Sequence, residues 1–429
     1  MKKLIFLFII YSTGVFAQCP TTPILIITQA EIDAFAATYP GCTQLLNDLE
    51  VNAVDATNLD GLLQLESSSV DSNIYIKNTL ITDASGLDNL TTVGGNLEFE
   101  ENQLMLSFNG LQQLESIHTD FMVFGNGLLP SLTGLSGLES IGGTLRVQAN
   151  SNLGDLTGMD NLSTVGIEGV NSAGARGLDF RGNFSLASFA GLENLTEING
   201  AVIIAGNENL PNLVGLENIT HIANTLRIYD HNNLLSLEGL SGLQSVGFTL
   251  RIQENDQLQN LDGLENLQEF TSNLSITFNP ILNSISGLSN VSSASEIHAV
   301  FIKNNPNLSF CAIDLVCEGI IDSETVVEIE DNASGCNTVS QVASDCGLAV
   351  SDNNLRTTIT LYPNPVSDKL QVQITEGIDF QRATVYSILG EKLFFTSEEN
   401  VDCSQLSSGI YFVKVTTGLG SVTKKIVKE

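Results

Sequence analysis

The sequence predicts a mainly β chain: a right-handed parallel β-solenoid of about eleven 24-residue coils with disulfide-bonded caps, followed by a small Ig-like β-sandwich. Three observations carry this. Gly-Leu or Gly-Met pairs begin at Gly86, Gly110, Gly134, Gly158, Gly191, Gly215, Gly239, Gly263 and Gly287, spaced by 24, 24, 24, 33, 24, 24, 24 and 24. A fixed period of this length marks a solenoid. Cys19 and Cys42 precede the repeats, Cys311, Cys317, Cys336 and Cys346 follow them, and no cysteine lies between. Past residue 356 the period gives way to short alternating strands with turn signals.

The opening stretch MKKLIFLFIIYSTGVFA has two lysines, an apolar run and small residues at Val15 and Ala17. That is the pattern of a secretory signal peptide, residues 1–17, cut after Ala17. A lipoprotein cut before Cys19 fits Gln18 poorly. No other apolar run approaches the ~20 residues a membrane helix needs, so no transmembrane span is expected. In an exported chain, seven cysteines point to disulfides. Residues 18–60 read as an N-terminal cap with a short helix and the first coil. Thr28 and Glu31 stand at capping-box spacing, and Pro40-Gly41 ends the helix. A Cys19–Cys42 bridge would pin that helix over the first coil.

Residues 61–308 are the repeats; Gly61 lies 25 before Gly86. Counting each glycine as zero, apolar residues recur at +1, +4, +7, +11, +13, +19 and +22. In one coil these are Leu135, Leu138, Ile141, Leu145, Val147, Leu153 and Leu156. The +11/+13 pair alternates with polar positions and reads as a short strand with alternate residues inward. Spacings of three elsewhere fit tight corners. Gly94, Gly95, Gly142 and Gly143, near +8 and +9, suit a turn needing positive φ. The spacing of 33 is a coil with nine extra residues at 167–175. A single coil cannot fold alone; only stacking buries its flat faces and pairs its strands. Eleven coils at ~4.8 Å make a rod roughly 50 Å long.

Asparagine stands at +16 or its equivalent in most coils: Asn102, Asn126, Asn150, Asn183, Asn207, Asn255, Asn279 and Asn305. An inward amide there can bond backbone groups of its own turn and of the next coil. His231 takes the position once and is read as a core polar residue, not a ligand or base. Residues 309–348 form a Cys-rich C-terminal cap, whose four cysteines allow three pairings. No CxxC or Cys/His zinc grouping exists among the seven cysteines and four histidines, and no metal or cofactor is expected. Residues 349–356 are a linker, and residues 357–429 a second domain. Cys403 within it is read as a buried thiol.

The coil pattern L-x-x-[LIV]-x-x-[IV]-x-G-x-L-x-[IV]-x-x-N resembles the receptor L domain, a leucine-rich β-solenoid, over residues 42–308. Similarity to caps of leucine-rich arrays implies Cys311–Cys336 with Cys317–Cys346. The C-terminal stretch resembles the type A sorting domain of the type IX secretion system. It carries Leu361-Tyr362-Pro363-Asn364-Pro365, Ser387-Ile388-Leu389-Gly390, Ser408-Gly409-Ile410-Tyr411 and a final Lys-Lys-Ile. That resemblance implies export by Sec and then by the type IX machinery of a Bacteroidota-type cell. A surface sortase would then remove the domain, leaving the protein attached or free.

Residues 18–355 hold seven cations against 41 acids, out of a chain total of 17 and 49 and a formal charge of −32. Such a surface excludes non-specific nucleic-acid binding, which needs basic residues on the phosphates. The seven are Lys77, Arg146, Arg176, Arg181, Arg227, Arg251 and Lys303. Arg146, Arg227 and Arg251 fall at +12, and Lys77, Arg181 and Lys303 align with +14. Both positions point outward from one strand face. Tyr75, Met122, Phe124, Tyr229 and Phe301 share it, and Arg176 lies just before the strand of the coil with the insertion.

Arg146, Arg181, Arg227, Tyr229, Arg251, Met122 and Phe124 are the candidate ligand-binding residues. Arginines offer bidentate donors to carboxylate, sulfate or phosphate, and aromatics offer stacking surface. The competing reading is structural, with these arginines paired to neighbours such as Glu98 or Asp179. The acids show no calcium-loop spacing and read as solvated surface. GxSxG, HExxH, phosphate-loop and paired-carboxylate signatures are absent. The expected function is therefore an exported, non-catalytic binding or adhesion protein for a glycan or protein ligand. The alternatives are an enzyme acting on acidic polysaccharide and a spacer without a specific ligand.

Overall fold

A computed structural model describes residues 19–166, 177–291, 297–322, 324–348, 359–374, 379–388, 390, 392–417 and 420–429. The expected signal peptide at 1–17, the insertion at 167–175, Arg176 and the expected linker at 349–356 lie outside the described residues. Among the described residues the chain winds through about twelve turns of parallel sheet. One sheet orders thirteen strands, from Ile24–Ile26 to Val326–Glu330. The eleven between, from Leu49–Asn52 to Ala299–Lys303, are the coil strands. A second sheet aligns ten two-residue strands, from Gln44–Leu45 to Glu269–Phe270. At about 4.8 Å per strand the long sheet spans about 60 Å.

The alternation of apolar and polar residues decides which face is core. In the strand Leu145–Gln148, Leu145 and Val147 are sealed while Arg146 and Gln148 stay half-buried. Pairing is one to one: Leu145 meets Phe121 and Leu178, and Val147 meets Val123 and Phe180. Each inward side chain therefore stacks on its counterparts above and below. All seven apolar positions of that coil are fully buried. Phe99, Phe108 and Phe121 pack edge to face, with centroids 5.0 and 5.8 Å apart.

The corner glycine is fixed twice over. Gly86, Gly110, Gly134, Gly158, Gly191, Gly215, Gly239 and Gly263 have φ of 105–112°, a region L side chains avoid. A Cβ at any of them would lie 1.9–2.4 Å from a carbonyl group of the preceding coil. Gly166, at +8 of its coil, has the positive φ expected there, 85°, but at Gly94, Gly95 and Gly143 the expectation is corrected: these three are not left-handed. They are small because coils approach closely there. A Cβ would fall 2.1 Å from the Ser69 carbonyl oxygen at Gly94 and 2.7 Å from Thr119 C at Gly143. Part of the acidic charge also has a local task. The corner N–H of Gly86, Gly191, Gly215 and Gly263 donates to the carboxylate two residues on, at 2.8–2.9 Å.

At the end of most coil strands one residue turns left-handed, with φ of 58° at Ala149, 55° at Glu254 and 57° at Asn304. The next side chain then faces the interior, and it is the asparagine. Asn150 is typical. Its Oδ1 accepts the Asn126 N–H at 3.0 Å, and its Nδ2 donates to the Val123 carbonyl at 2.9 Å. Its own N–H donates to Asn183 Oδ1 at 3.1 Å. These rungs start where Asn102 Oδ1 accepts from Thr79, and they end at Asn332 and Asn337.

His231 stands in the same column with no exposed surface. Its Nδ1 lies 3.1 Å from Asn255 Oδ1. That oxygen can only accept, so the proton sits on Nδ1. Nε2 is buried and without a partner among the described residues. Burial pushes the His231 pKa down to about 4, opposed by the bond to Asn255.

The caps extend the ladder. Thr28 and Glu31 make both limbs of a capping box on the helix Gln29–Asp33, and a second short helix, Phe35–Thr38, follows. Cys19 is bonded to Cys42. At the other end Cys311 is bonded to Cys336 and Cys317 to Cys346. The strand Val326–Glu330 there pairs with Ala299–Lys303. Leu315, Val316 and Val342 from the flanking helices join the solenoid core.

Residues 359–429 fold into antiparallel sheets of three and four strands. Both sheets share one core, including Val372, Val385, Val413 and Ile426. Cys403 belongs to it, as a free and fully buried thiol.

Two stability measurements check the ladder. Asn150→Ala strands the Asn126 N–H and the Val123 carbonyl away from water. It is expected to cost about 2–4 kcal/mol, read from the urea midpoint. The second concerns acid. His231 titrates near 4 when folded and near 6.5 when unfolded. Between those values the unfolded chain binds a proton that the folded one refuses. Stability is therefore full above pH 6.5 and falls as pH drops toward 4, by up to about 3 kcal/mol. His231→Asn should remove that part of the acid loss; an unchanged pH profile of the urea midpoint contradicts the assignment.

Candidate recognition face

The outward residues of the long strands form two columns. Strand register sets the first as Glu50, Tyr75, Glu98, Met122, Arg146, Asp179, Ile203, Arg227, Arg251, Ser275, Phe301 and Glu328. The second runs Asn52, Lys77, Glu100, Phe124, Gln148, Arg181, Ala205, Tyr229, Gln253, Thr277, Lys303 and Glu330. Successive members sit about 4.8 Å apart.

Four cations of these columns are neutralised locally. Lys77 meets Glu98 at 3.4 Å and Glu100 at 2.8 Å. Burial works against the Lys77 charge, but Glu100 and Glu98 outweigh it and hold its pKa above the ordinary value. Arg146 lies 3.8 Å from Asp179 and 3.9 Å from Asp120. Arg181 Nε meets Asp179 Oδ1 at 2.7 Å, as an ion pair without good hydrogen-bond alignment. Lys303 contacts Glu328 and lies 2.9 Å from Glu330, and these bonds raise its pKa.

Arg227 and Arg251 differ. They are register partners on Leu226–His231 and Leu250–Asn255. Among the described residues neither has a carboxylate within ion-pair distance. The Arg227 guanidinium lies 5.8 Å from the centroid of the Tyr229 ring, and Arg251 Nε donates to Gln253 Oε1 at 2.7 Å. Two adjacent like charges without a counter-ion make a place where an anion gains most.

The seven candidate residues therefore fall into two groups. Arg227, Tyr229 and Arg251 stand together. Met122, Phe124, Arg146 and Arg181 form the other group, in which Arg146 Nη1 comes within 3.9 Å of Met122 Sδ. The strand Ala201–Ala205 separates them; its outward Ile203 and Ala205 are only 6% and 4% exposed. Sequence reasoning had not singled out Ser275 and Thr277, the outward pair of the strand Asn273–Thr277. They floor a trough of about 440 Å³ between Arg251 and Gln253 on one side and Phe301 and Lys303 on the other. The readable signal is two small residues at +12 and +14 between coils that place large ones there.

Among the described residues no group of three or more His, Cys, Asp or Glu is placed to hold a metal ion. No helix among them is long and apolar enough to cross a membrane. No curated protein matches the chain. Residues 360–429 match the family model described as the secretion system C-terminal sorting domain. This segment is thus a type IX secretion sorting domain, and it marks the protein for export to the cell surface or extracellular space.

Proposed function

We propose that the exported protein is a non-catalytic binding or adhesion protein, with its ligand seated on the outer strand face at Arg227, Tyr229 and Arg251. The observation that carries this reading is the in-register arginine pair, left without a carboxylate on a chain of formal charge −32. Every other cation described on that face is already paired, so these two are the charges available to a partner. Guanidinium forks suit the carboxylate, sulfate or phosphate groups of a surface glycan or protein, and Tyr229 adds a flat apolar contact. Kinship of the coils with receptor L domains rests on the 24-residue spacing and the asparagine column. Residues 1–17 would deliver the chain to the periplasm. The type IX machinery would then engage the sorting domain, and a sortase would remove it.

Two experiments test this. In purified protein, Arg227→Ala, Tyr229→Ala and Arg251→Ala together should weaken binding on a glycan and protein array at least tenfold. These half-buried side chains point away from the core, so stability should move by less than about 1.5 kcal/mol. Unchanged binding rejects the site. In cells, deletion of residues 357–429 should leave the solenoid inside; wild-type display of that truncation, read by external protease digestion, would refute the export route.

A further inference from the structure

We infer that the trough beside Arg251 is a subsite for a single acidic sugar residue within an otherwise neutral glycan. The inference rests on the strand face being a binding surface and specifies its ligand class.

The trough exists because one coil presents only Ser275 and Thr277 outward. Strands two coils apart lie about 10 Å from one another, so the flanking side chains stand as facing walls. One wall is Arg251. Gln253 Oε1 accepts from both its Nε and its Nη2, which holds the guanidinium plane in place. Nη1 has no partner among the described residues and is free for a carboxylate or sulfate. The opposite wall is Phe301, half-buried, with Lys303 Nζ 5.8 Å from its ring centroid. Its exposed face suits the C–H face of a pyranose. The floor and ends supply the Ser275 and Thr277 hydroxyls and the Asn273 amide, donors and acceptors matched to sugar hydroxyls. The volume of about 440 Å³ falls in the range of small-ligand sites. The lining joins the ring surfaces of Phe278 and Phe301 to hydroxyl, amide and charged groups, Glu328 among them, a mixture that matches the apolar C–H face and the polar rim of a pyranose. The acids elsewhere on the coils repel a densely charged polymer, which favours one acidic unit among neutral ones.

The test uses the full secreted chain and saturation-transfer NMR titrations with methyl glucuronoside, methyl galacturonoside and methyl galactoside 6-sulfate. Methyl glucoside and methyl galactoside are the neutral controls. At least one acidic glycoside should bind tenfold or more tightly than its neutral counterpart; its identity separates carboxylate from sulfate. Ser275→Tyr fills the trough while keeping Arg227, Tyr229 and Arg251, and should weaken that binding at least tenfold with an unchanged melting temperature. Should Ser275→Tyr start to unfold, Phe301→Ala, which deletes the stacking wall, gives the same readout. No acidic preference in any of the three pairs overturns the subsite. So does a folded Ser275→Tyr or Phe301→Ala protein that binds as tightly as wild type. If the subsite fails in this way while the arginine and tyrosine triple variant still loses its array ligand, the strand-face reading survives alone. If neither set of variants changes binding, both are wrong.

Discussion

Every coil must satisfy a backbone N–H and a carbonyl that its turn leaves inside the core, out of reach of water. The asparagine rung does this with one side chain, accepting from the coil before it and donating to a carbonyl of that coil's strand. Because the side chain is short, it works only if successive turns lie directly over one another. The rung therefore fixes the stacking register as well as the polar balance. The coil with nine extra residues shows how strict this is. Asn150 and Asn183, 33 positions apart, still meet at 3.1 Å. The rung is kept across the longer spacing.

From that constraint the rest of the cross-section follows. With register fixed, apolar positions stack on apolar positions and the corner glycines must yield to the carbonyl of the coil beneath. Acidic residues two places on close the corner by accepting the glycine N–H. The strongly acidic composition is thus partly architectural, and the cations are what the architecture does not explain. Four of the six described on the strand face answer to carboxylates within the columns or beside them. Arg227 and Arg251 answer to none, which separates them from Arg146 despite an identical place in the repeat, and from Arg181 in the neighbouring column.

Most of the fold could be read from the chain, because a repeat restates the same physical demands in every coil. Leu145 and Val147 announce an inward strand face, Asn150 announces a polar slot, and Thr28 with Glu31 announces a helix start. What could not be read was backbone geometry decided between coils. Gly94 and Gly143 look like turn glycines, yet they are small because the preceding coil passes too close to admit a Cβ. There positive φ sits instead at the glycine that sets the period. The candidate site was legible as two columns but not as two groups. Ion pairs such as Arg181 with Asp179 depend on rotamers, and the trough depends on what Ser275 and Thr277 lack. Neither leaves a mark in spacing.

The division of each strand into inward and outward positions has a consequence for how such a surface can change. Leu250 and Ile252 answer to the core, whereas Arg251 and Gln253 answer only to what lies outside. Outward residues are free of the packing and rung constraints, so a coil can take a new pair at +12 and +14 without renegotiating the fold. The rod is in this sense a keyboard with about twelve keys, each a fixed step from the next. Small residues make a hollow, arginine a charged post and aromatic rings a flat ledge. The spacing between keys is inherited from the backbone and never has to be found again.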